Sequence, residues 1–182
     1  MIVTEHFQSI SLEKYLLNES NAFKKKDYIL EQIFDGLDYL HQNLILHRDI
    51  NINNIIINPE TFLVKIVDFG LARSLNEGDM DIIVSPQGNL KYRMPDKFEY
   101  SKNPYLYDIW GAGIVALSLC LNKKVSTKKF LKMMKTKENF TGNLHTLEKF
   151  QRLMERMSEE DNSKFCFEKK ILLKIFHKEG EL

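Results

Sequence analysis

The sequence predicts a mainly α-helical domain that contains one small β-hairpin, an α+β arrangement. Two observations predict helices: apolar residues recur at helical spacing between residues 26 and 42, and a nearly unbroken apolar run covers residues 109–121. A third predicts the hairpin, because the β-branched runs 55–57 and 64–67 flank a turn that contains Pro59. The hairpin therefore lies between helices that supply the core.

The elements before the hairpin follow in order. Residues 2–7 predict a short buried strand that ends in polar residues, and residues 11–17 predict a short amphipathic helix with Ser11 as its N-cap. The helix over residues 26–42 comes next. Its apolar stripe consists of Leu30, Ile33, Phe34, Leu37 and Leu40.

Further helices are predicted after the hairpin. Residues 123–137 carry seven lysines and no acidic residue, which is typical of a solvated helix face or of a patch for an acidic partner or nucleic acid. Apolar residues in the same stretch supply a buried side and favour the solvated face. Two more helical stripes consist of Leu147, Phe150, Leu153, Met154 and Met157, and of Ile171, Leu172, Ile175 and Phe176.

Composition indicates a soluble protein with one domain. The chain has 182 residues, of which 43% are hydrophobic and 28% charged, and its net charge of +1 favours neither nucleic acid nor a membrane surface. The apolar run is too short to span a bilayer, and the start lacks the pattern of a secretory signal. Cys120 and Cys166 have no partner at metal-ligand spacing, which predicts reduced core thiols in an intracellular, cytoplasmic protein.

The residues with the clearest chemistry lie between positions 47 and 70. Residues 47–54 read His-Arg-Asp-Ile-Asn-Ile-Asn-Asn, and residues 68–70 read Asp-Phe-Gly. Carboxylate and carboxamide oxygens of this kind suit Mg²⁺, which binds through one or two carboxylates together with substrate phosphates. A purely structural explanation also exists for each residue, because Asp and Asn cap turns and Asp-Phe-Gly can form a tight turn by itself.

Four ordered motifs resemble those of eukaryotic-type protein kinases. Residues 47–54 resemble the catalytic loop and residues 68–70 the metal-binding turn. Residues 94–96, Met-Pro-Asp, resemble the Ala-Pro-Glu element, and residues 108–113 resemble the start of the central buried helix. The resemblance implies a protein-kinase-like C-terminal lobe of the serine/threonine type, preceded by a hinge strand.

The resemblance also assigns roles to particular residues. Asp49 would accept or orient the proton of a protein hydroxyl, and Mg²⁺ ions would bridge the phosphates of ATP. His47 and Phe69 are expected to pack inward, and Arg48 to pair with a phosphorylated loop. The implied catalytic residues are Asp49, Asn51 and Asn54; the implied ATP contacts are Glu5, Phe7, Ile56 and Asp68; the implied metal ligands are Asn54 and Asp68. The implied partners are a protein substrate, ATP, and a regulatory protein or upstream kinase, without membrane or nucleic acid.

Departures from the family pattern leave two functions open. Asn51 stands where serine/threonine kinases have Lys, and loss of such an electrostatic donor typically costs roughly 10²–10³ in rate. The glycine-rich loop, strand lysine and helix glutamate of the small lobe are not found in the sequence, so residues 1–182 are interpreted as one partial kinase domain, with hinge and large lobe. The first hypothesis is a serine/threonine kinase that transfers the γ-phosphoryl group of ATP to a protein hydroxyl. The alternative is a catalytically impaired pseudokinase or a scaffold that binds another protein.

Overall fold

Four helices and five short strands form the part of the chain that a computed structural model describes, namely residues 6–18, 25–75, 88–95, 103–136, 149–150, 152–154 and 175–176. The helices are α1 (Leu12–Asn18), α2 (Lys26–Gln42), α3 (Leu106–Cys120) and α4 (Thr127–Thr136). The strands are β1 (Ile10–Ser11), β2 (Ile45–Leu46), β3 (Ile55–Ile57), β4 (Val64–Ile66) and β5 (Arg73–Ser74), and a 3₁₀ turn spans Phe69–Leu71.

Helix α2 has the predicted bounds, because its apolar stripe runs along its whole length. The side chains of that stripe are buried, and the helix packs against β4 and α3. The short helix α1 begins at Leu12, and the Ser11 Oγ accepts a hydrogen bond from the Lys14 N–H at 3.2 Å, so the predicted N-cap is confirmed. Of the predicted strand over residues 2–7, residues 2–5 lie outside the described residues, and His6 and Phe7 have no regular structure.

Helix α3 is the centre of the core, and every one of its residues is buried. The apolar run that predicts it begins at residue 109, but the helix begins at Leu106, because a turn at Asn103 leads into it: the Asn103 carbonyl accepts the Leu106 N–H at 3.1 Å. Trp110 packs between Phe130 and Phe150 at ring-centroid distances of 5.5 and 5.8 Å. These aromatic contacts tie α3 to α4 and to the helical residues near position 150.

The cysteine at the end of α3 behaves as a core residue. Cys120 is a free, buried thiol, and burial raises its pKa to about 11. A thiol with such a pKa is almost entirely protonated at neutral pH and therefore chemically inert. The prediction of a reduced core thiol is confirmed for Cys120, whereas Cys166 lies outside the described residues.

The predicted hairpin is formed by β3 and β4. They pair antiparallel with Ile55 opposite Ile66 and Ile57 opposite Val64, and β1 pairs with the other edge of β3. A second ribbon joins β2 to β5. Because β2 directly precedes residue 47 and β5 follows residue 70, the two ribbons fold the whole segment 47–70 into one compact unit.

Helix α4 presents the predicted solvated face. Phe130 is buried, whereas Lys128, Lys129, Lys132 and Lys135 are exposed. Of the two later apolar stripes, the described residues Phe150, Leu153, Met154, Ile175 and Phe176 are buried in the main core. Within the described ranges, none of the helices has the length and hydrophobicity needed to cross a membrane.

Candidate active site

The loop of residues 47–54 is anchored on a buried carboxylate. Asp108 Oδ2 accepts the His47 N–H at 2.8 Å, and Asp108 Oδ1 accepts the Arg48 N–H at 2.7 Å. His41 Nε2 lies 3.0 Å from Oδ2, and Asp108 is 0% exposed. A carboxylate is costly to bury unless it is hydrogen-bonded. These three contacts therefore stabilise Asp108 in the core. The sequence motif did not assign this anchoring role; the available signal was a carboxylate inside an otherwise apolar helix.

The loop lies very close to α3 and has an uncommon backbone. Arg48 has a left-handed φ of 66°, which is disfavoured for a residue with a side chain and requires support from the surroundings. Gly111 of α3 permits the close approach, since a Cβ there would lie 2.5 Å from the Ile50 carbonyl oxygen. Burial, and next the positive charge of Arg73, lower the pKa of the Arg48 guanidinium.

Both carboxylate oxygens of Asp49 are held by hydrogen bonds. Oδ1 accepts the backbone N–H of Asn89 at 2.8 Å, and Oδ2 accepts the side-chain amide of Asn54 at 2.8 Å. The preceding residue, Gly88, has a φ of +81°, and a Cβ there would lie 2.6 Å from the Arg48 carbonyl and 2.9 Å from Asp49 Oδ1. Glycine at position 88 therefore lets a distant segment reach and orient this carboxylate.

Asn51 uses its side chain inside the loop. Its Nδ2 donates to the Asp49 carbonyl at 3.0 Å, its Oδ1 accepts the Asn53 N–H at 2.9 Å, and the residue is 1% exposed. The Asn51 amide, which could donate to a phosphate, is thus hydrogen-bonded to the backbone of its own loop. In this arrangement Asn51 fixes the path of the chain between Asp49 and Asn54.

Asn54 and Asp68 lie at the same end of the hairpin. The Asn54 carbonyl accepts the Val67 N–H at 2.9 Å, one step beyond the Ile55–Ile66 pair, and Asp68 follows directly. The Asn54 Nδ2 also donates to the Asp49 carbonyl at 3.0 Å, and among the described residues no donor bonds its Oδ1. Asp68 is exposed, has a φ of 66°, and accepts the Gly70 N–H at 3.3 Å.

This donor pair fits the metal that the sequence implies. A carboxamide oxygen and a carboxylate are hard ligands, and Mg²⁺ commonly takes only one or two protein carboxylates when phosphates supply further oxygens. Across the described ranges, there is no group of three or more His, Cys, Asp or Glu side chains that could hold a metal ion without such phosphates.

His47 links the loop to the strand that precedes Asp68. Its Nε2–H donates to the Val67 carbonyl at 3.0 Å, while Nδ1 accepts the Asp49 N–H at 3.3 Å, so one tautomer satisfies both contacts. His47 is fully buried, as predicted. The prediction that Phe69 packs inward was wrong: it is 47% exposed and touches His47 edge-on at 4.9 Å, because it lies on a three-residue 3₁₀ turn without buried residues.

Two of the predicted ATP contacts, Phe7 and Ile56, lie near Lys65 on one face of the hairpin. Ile55 and Ile57 point into the core, whereas Ile56 is half-buried and lies opposite Lys65 on the other face. The Lys65 Nζ lies 4.6 Å from the centroid of the Phe7 ring. This face therefore brings together aliphatic and aromatic surface that suits a flat base. Glu5 lies outside the described residues.

The fold has a counterpart among solved structures. The yeast RNA Pol II CTD kinase CTDK-1 complex matches with a TM-score of 0.55 and 27% sequence identity, over 70% of this chain and 45% of that chain. The fold is therefore protein-kinase-like, as the sequence predicts.

Sequence comparison identifies the family. The profile of the protein kinase domain matches residues 1–178, and the chain belongs to the protein kinase family. A probable serine/threonine-protein kinase of Encephalitozoon cuniculi (strain GB-M1) is 31% identical over 84% of this chain and 25% of its own length. Cysteine-rich receptor-like protein kinase 2 of Arabidopsis thaliana is 27% identical over 71% of this chain and 21% of its own length. The chain thus spans only a fifth to a quarter of these relatives.

Proposed function

We propose that the chain provides the hinge and large lobe of a serine/threonine protein kinase, which transfers the γ-phosphoryl group of ATP to a hydroxyl of a protein substrate. The observation that carries this proposal is the carboxylate of Asp49, whose two oxygens each accept a hydrogen bond of 2.8 Å. A carboxylate fixed in this way can accept or orient the proton of the attacking hydroxyl without rearranging.

The metal and nucleotide would lie on either side of Asn54. Asn54 Oδ1 and the Asp68 carboxylate would hold Mg²⁺, which neutralises phosphate charge when bound. Phe7 and Ile56 would contact the base across the exposed face of the hairpin, with Glu5 beside them. In this assignment Asn54 has two tasks, because its amide nitrogen orients Asp49 while its oxygen faces the metal.

Regulation by an upstream kinase or a partner protein is part of the proposal. Arg48 is buried, and the neighbouring positive charge of Arg73 lowers its pKa further. A phosphorylated side chain brought to this position would offset both positive charges and form charge-assisted hydrogen bonds. The CTDK-1 kinase, which this chain resembles in fold, is itself a complex.

One observation favours the alternative, a pseudokinase or scaffold that acts by binding a protein. Asn51 carries no charge and spends both ends of its amide on loop backbone. The phosphate would therefore lack one neutralising contact beside Asp49, and the rate would be lower than with a lysine.

The experiment that tests the proposal measures Mg²⁺-dependent transfer of labelled phosphate from ATP to a protein substrate. Asp49→Asn is expected to lower the rate by roughly 10²–10⁴-fold, the usual contribution of a general base. Asp38→Asn is the matched control, because Asp38 lies on α2 and bonds only Gln42 among the described residues. Its rate should equal that of the unchanged chain.

A binding measurement separates the two hypotheses. Transfer that disappears in Asp49→Asn supports the kinase. A thermal shift with Mg-ATP but no transfer favours the alternative, and the absence of both would contradict the enzyme.

A further inference from the structure

A cleft of about 210 Å³ adjoins the 47–54 loop on the side of residues 88–95. Besides Tyr92, its polar lining residues are Glu13, Asn53, Asn89, Lys91, Lys124 and Ser126. The lining residue Asn89 also contacts the proposed catalytic carboxylate, since its N–H donates to Asp49 Oδ1 at 2.8 Å. A peptide whose hydroxyl reaches Asp49 would therefore bring its neighbouring side chains to this cleft.

The cleft has an excess of positive charge. The described lining residues include two lysines, Lys91 and Lys124, but only one acidic residue, Glu13. Glu13 Oε1 lies 2.9 Å from Lys124 Nζ, so its charge is already compensated. Lys91 forms no ion pair with any residue that the structure describes. Within the described part of the chain, the lining therefore has one more positive than negative side chain, and that side chain belongs to Lys91.

The surroundings do not offset that excess. The phenol of Tyr92, which also lines the cleft, carries no negative charge at neutral pH, and burial, followed by the Glu13 carboxylate, raises its pKa. The Lys129 Nζ donates to the Lys124 carbonyl at 3.2 Å, which places a third ammonium group beside a residue that lines the cleft. The Glu13–Lys124 pair is partly solvated, with side chains 36% and 44% exposed, and an incoming anion can compete for Lys124 at low cost.

We propose that this cleft binds an anionic side chain, a carboxylate or a phosphoryl group, on the substrate segment that flanks the phosphorylated hydroxyl. Lys91 and Lys124 are then the specificity-determining residues, and the preferred substrates are acidic or already phosphorylated near the target. Lysine suits this role because its ammonium group is a point charge on a flexible stem that accommodates either anion. The inference rests on the proposed kinase function.

Peptide binding tests the inference without requiring turnover. Fluorescent peptides with one serine would carry aspartate, phosphoserine, alanine or lysine on its N-terminal or C-terminal side, and their anisotropy would be measured with the chain. The anionic peptides are expected to bind roughly two- to fivefold more tightly than the alanine peptide for each lysine engaged. Added salt should reduce this preference. Comparison of the aspartate and phosphoserine peptides tells which anion is favoured, and either result supports the cleft.

Charge variants test the residues. Lys91→Gln and Lys124→Gln should each lower the preference for anionic peptides, whereas Glu13→Gln should raise it, because Lys124 then has no competing carboxylate. Lys135→Gln is the control, since it removes the same charge from an exposed position on α4 that does not line the cleft. Equal binding of anionic and alanine peptides would overturn the inference. So would a loss in Lys135→Gln as large as that in Lys124→Gln, because the attraction would then belong to the whole basic surface.

A phosphorylation assay with the same peptides separates this inference from the proposed function. Turnover dependent on Asp49 but indifferent to peptide charge would overturn the inference and leave the kinase function in place. Charge-selective binding without turnover would support the cleft and contradict the kinase function.

Discussion

Two aspartates, one near each end of the 47–54 loop, have contrasting environments. Asp108 is 0% exposed and is within 3.0 Å of three nitrogen atoms, two of them backbone N–H groups of the loop. Asp68 is exposed and accepts one longer hydrogen bond, of 3.3 Å, from the Gly70 N–H. The loop side of the site is thus built by the core, whereas the Asp68 side depends on a short surface turn.

The contrast separates two demands on a phosphoryl-transfer site. A group that orients a hydroxyl must be rigid before substrate arrives, because its value lies in pre-organisation. A group that binds a metal can remain loosely held, since the ion itself draws its ligands together. In the proposed kinase, the core would supply the first property at Asp49, and a bound metal would complete the second at the exposed Asp68.

The largest effect is expected for Asp108→Ala. Removal of the carboxylate leaves the His47 and Arg48 N–H groups and the His41 ring without their buried acceptor, and such a loss costs about 3–5 kcal/mol of unfolding free energy. Urea denaturation would measure it, with Asp38→Ala as the surface control. A loss below about 1 kcal/mol would show that the core does not hold the loop in the way described.

A smaller loss of stability is expected when a methyl group is added at Gly111, and almost none when it is added at Gly70. Gly111→Ala places a Cβ 2.5 Å from the Ile50 carbonyl oxygen, which is backbone and cannot swing away. The cost should be roughly 1–3 kcal/mol of stability. Among the described residues, the new methyl group of Gly70→Ala meets only the Asp68 carboxylate, at 3.2 Å, and that exposed side chain can move. The urea midpoint of unfolding of Gly70→Ala should stay close to that of the unchanged chain. Equal losses of stability in the two variants would contradict the difference described between the loop side and the Asp68 side of the site.

The smallest effect on stability is expected for Asp68→Ala. Because Asp68 is exposed and makes one weak contact, the free energy of unfolding should change by less than about 0.5 kcal/mol without ligand. The thermal shift caused by Mg-ATP should disappear, since a ligand stabilises only the state that binds it. A variant that kept the full shift would show that Asp68 is not a metal ligand.

The sequence predicted the fold where the pattern is periodic. Helix α2 and the hairpin could be placed because their apolar residues repeat along the whole element. The predicted start of α3 was less accurate, because the turn at Asn103 depends on backbone hydrogen bonds that a hydropathy pattern does not reveal. The exposure of Phe69 depends on what surrounds a three-residue turn, which local sequence does not specify.

For the candidate site, the sequence predicted which residues are involved better than it predicted their hydrogen bonds. The roles predicted for Asp49, Asn54 and Asp68 come from the resemblance of residues 47–54 and 68–70 to the motifs of protein kinases. The geometry of Asp49 also depends on Gly88 and Asn89, far along the chain, and hydrophobic periodicity does not connect these residues to Asp49. The internal hydrogen bonds of Asn51 did have a local signal, because Asn side chains readily bond backbone groups two residues away.

Residues 88–95 connect the candidate carboxylate to the packing of distant helices. The Asn89 N–H holds Asp49, the Lys91 carbonyl accepts the Thr127 N–H at 2.8 Å, and the Thr127 Oγ1 accepts the Trp110 Nε1–H at 2.9 Å. Lys91 also lines the basic cleft. If this segment selects substrates as proposed, substitutions that change specificity must also keep a helix junction intact, so specificity and stability are coupled at these few residues.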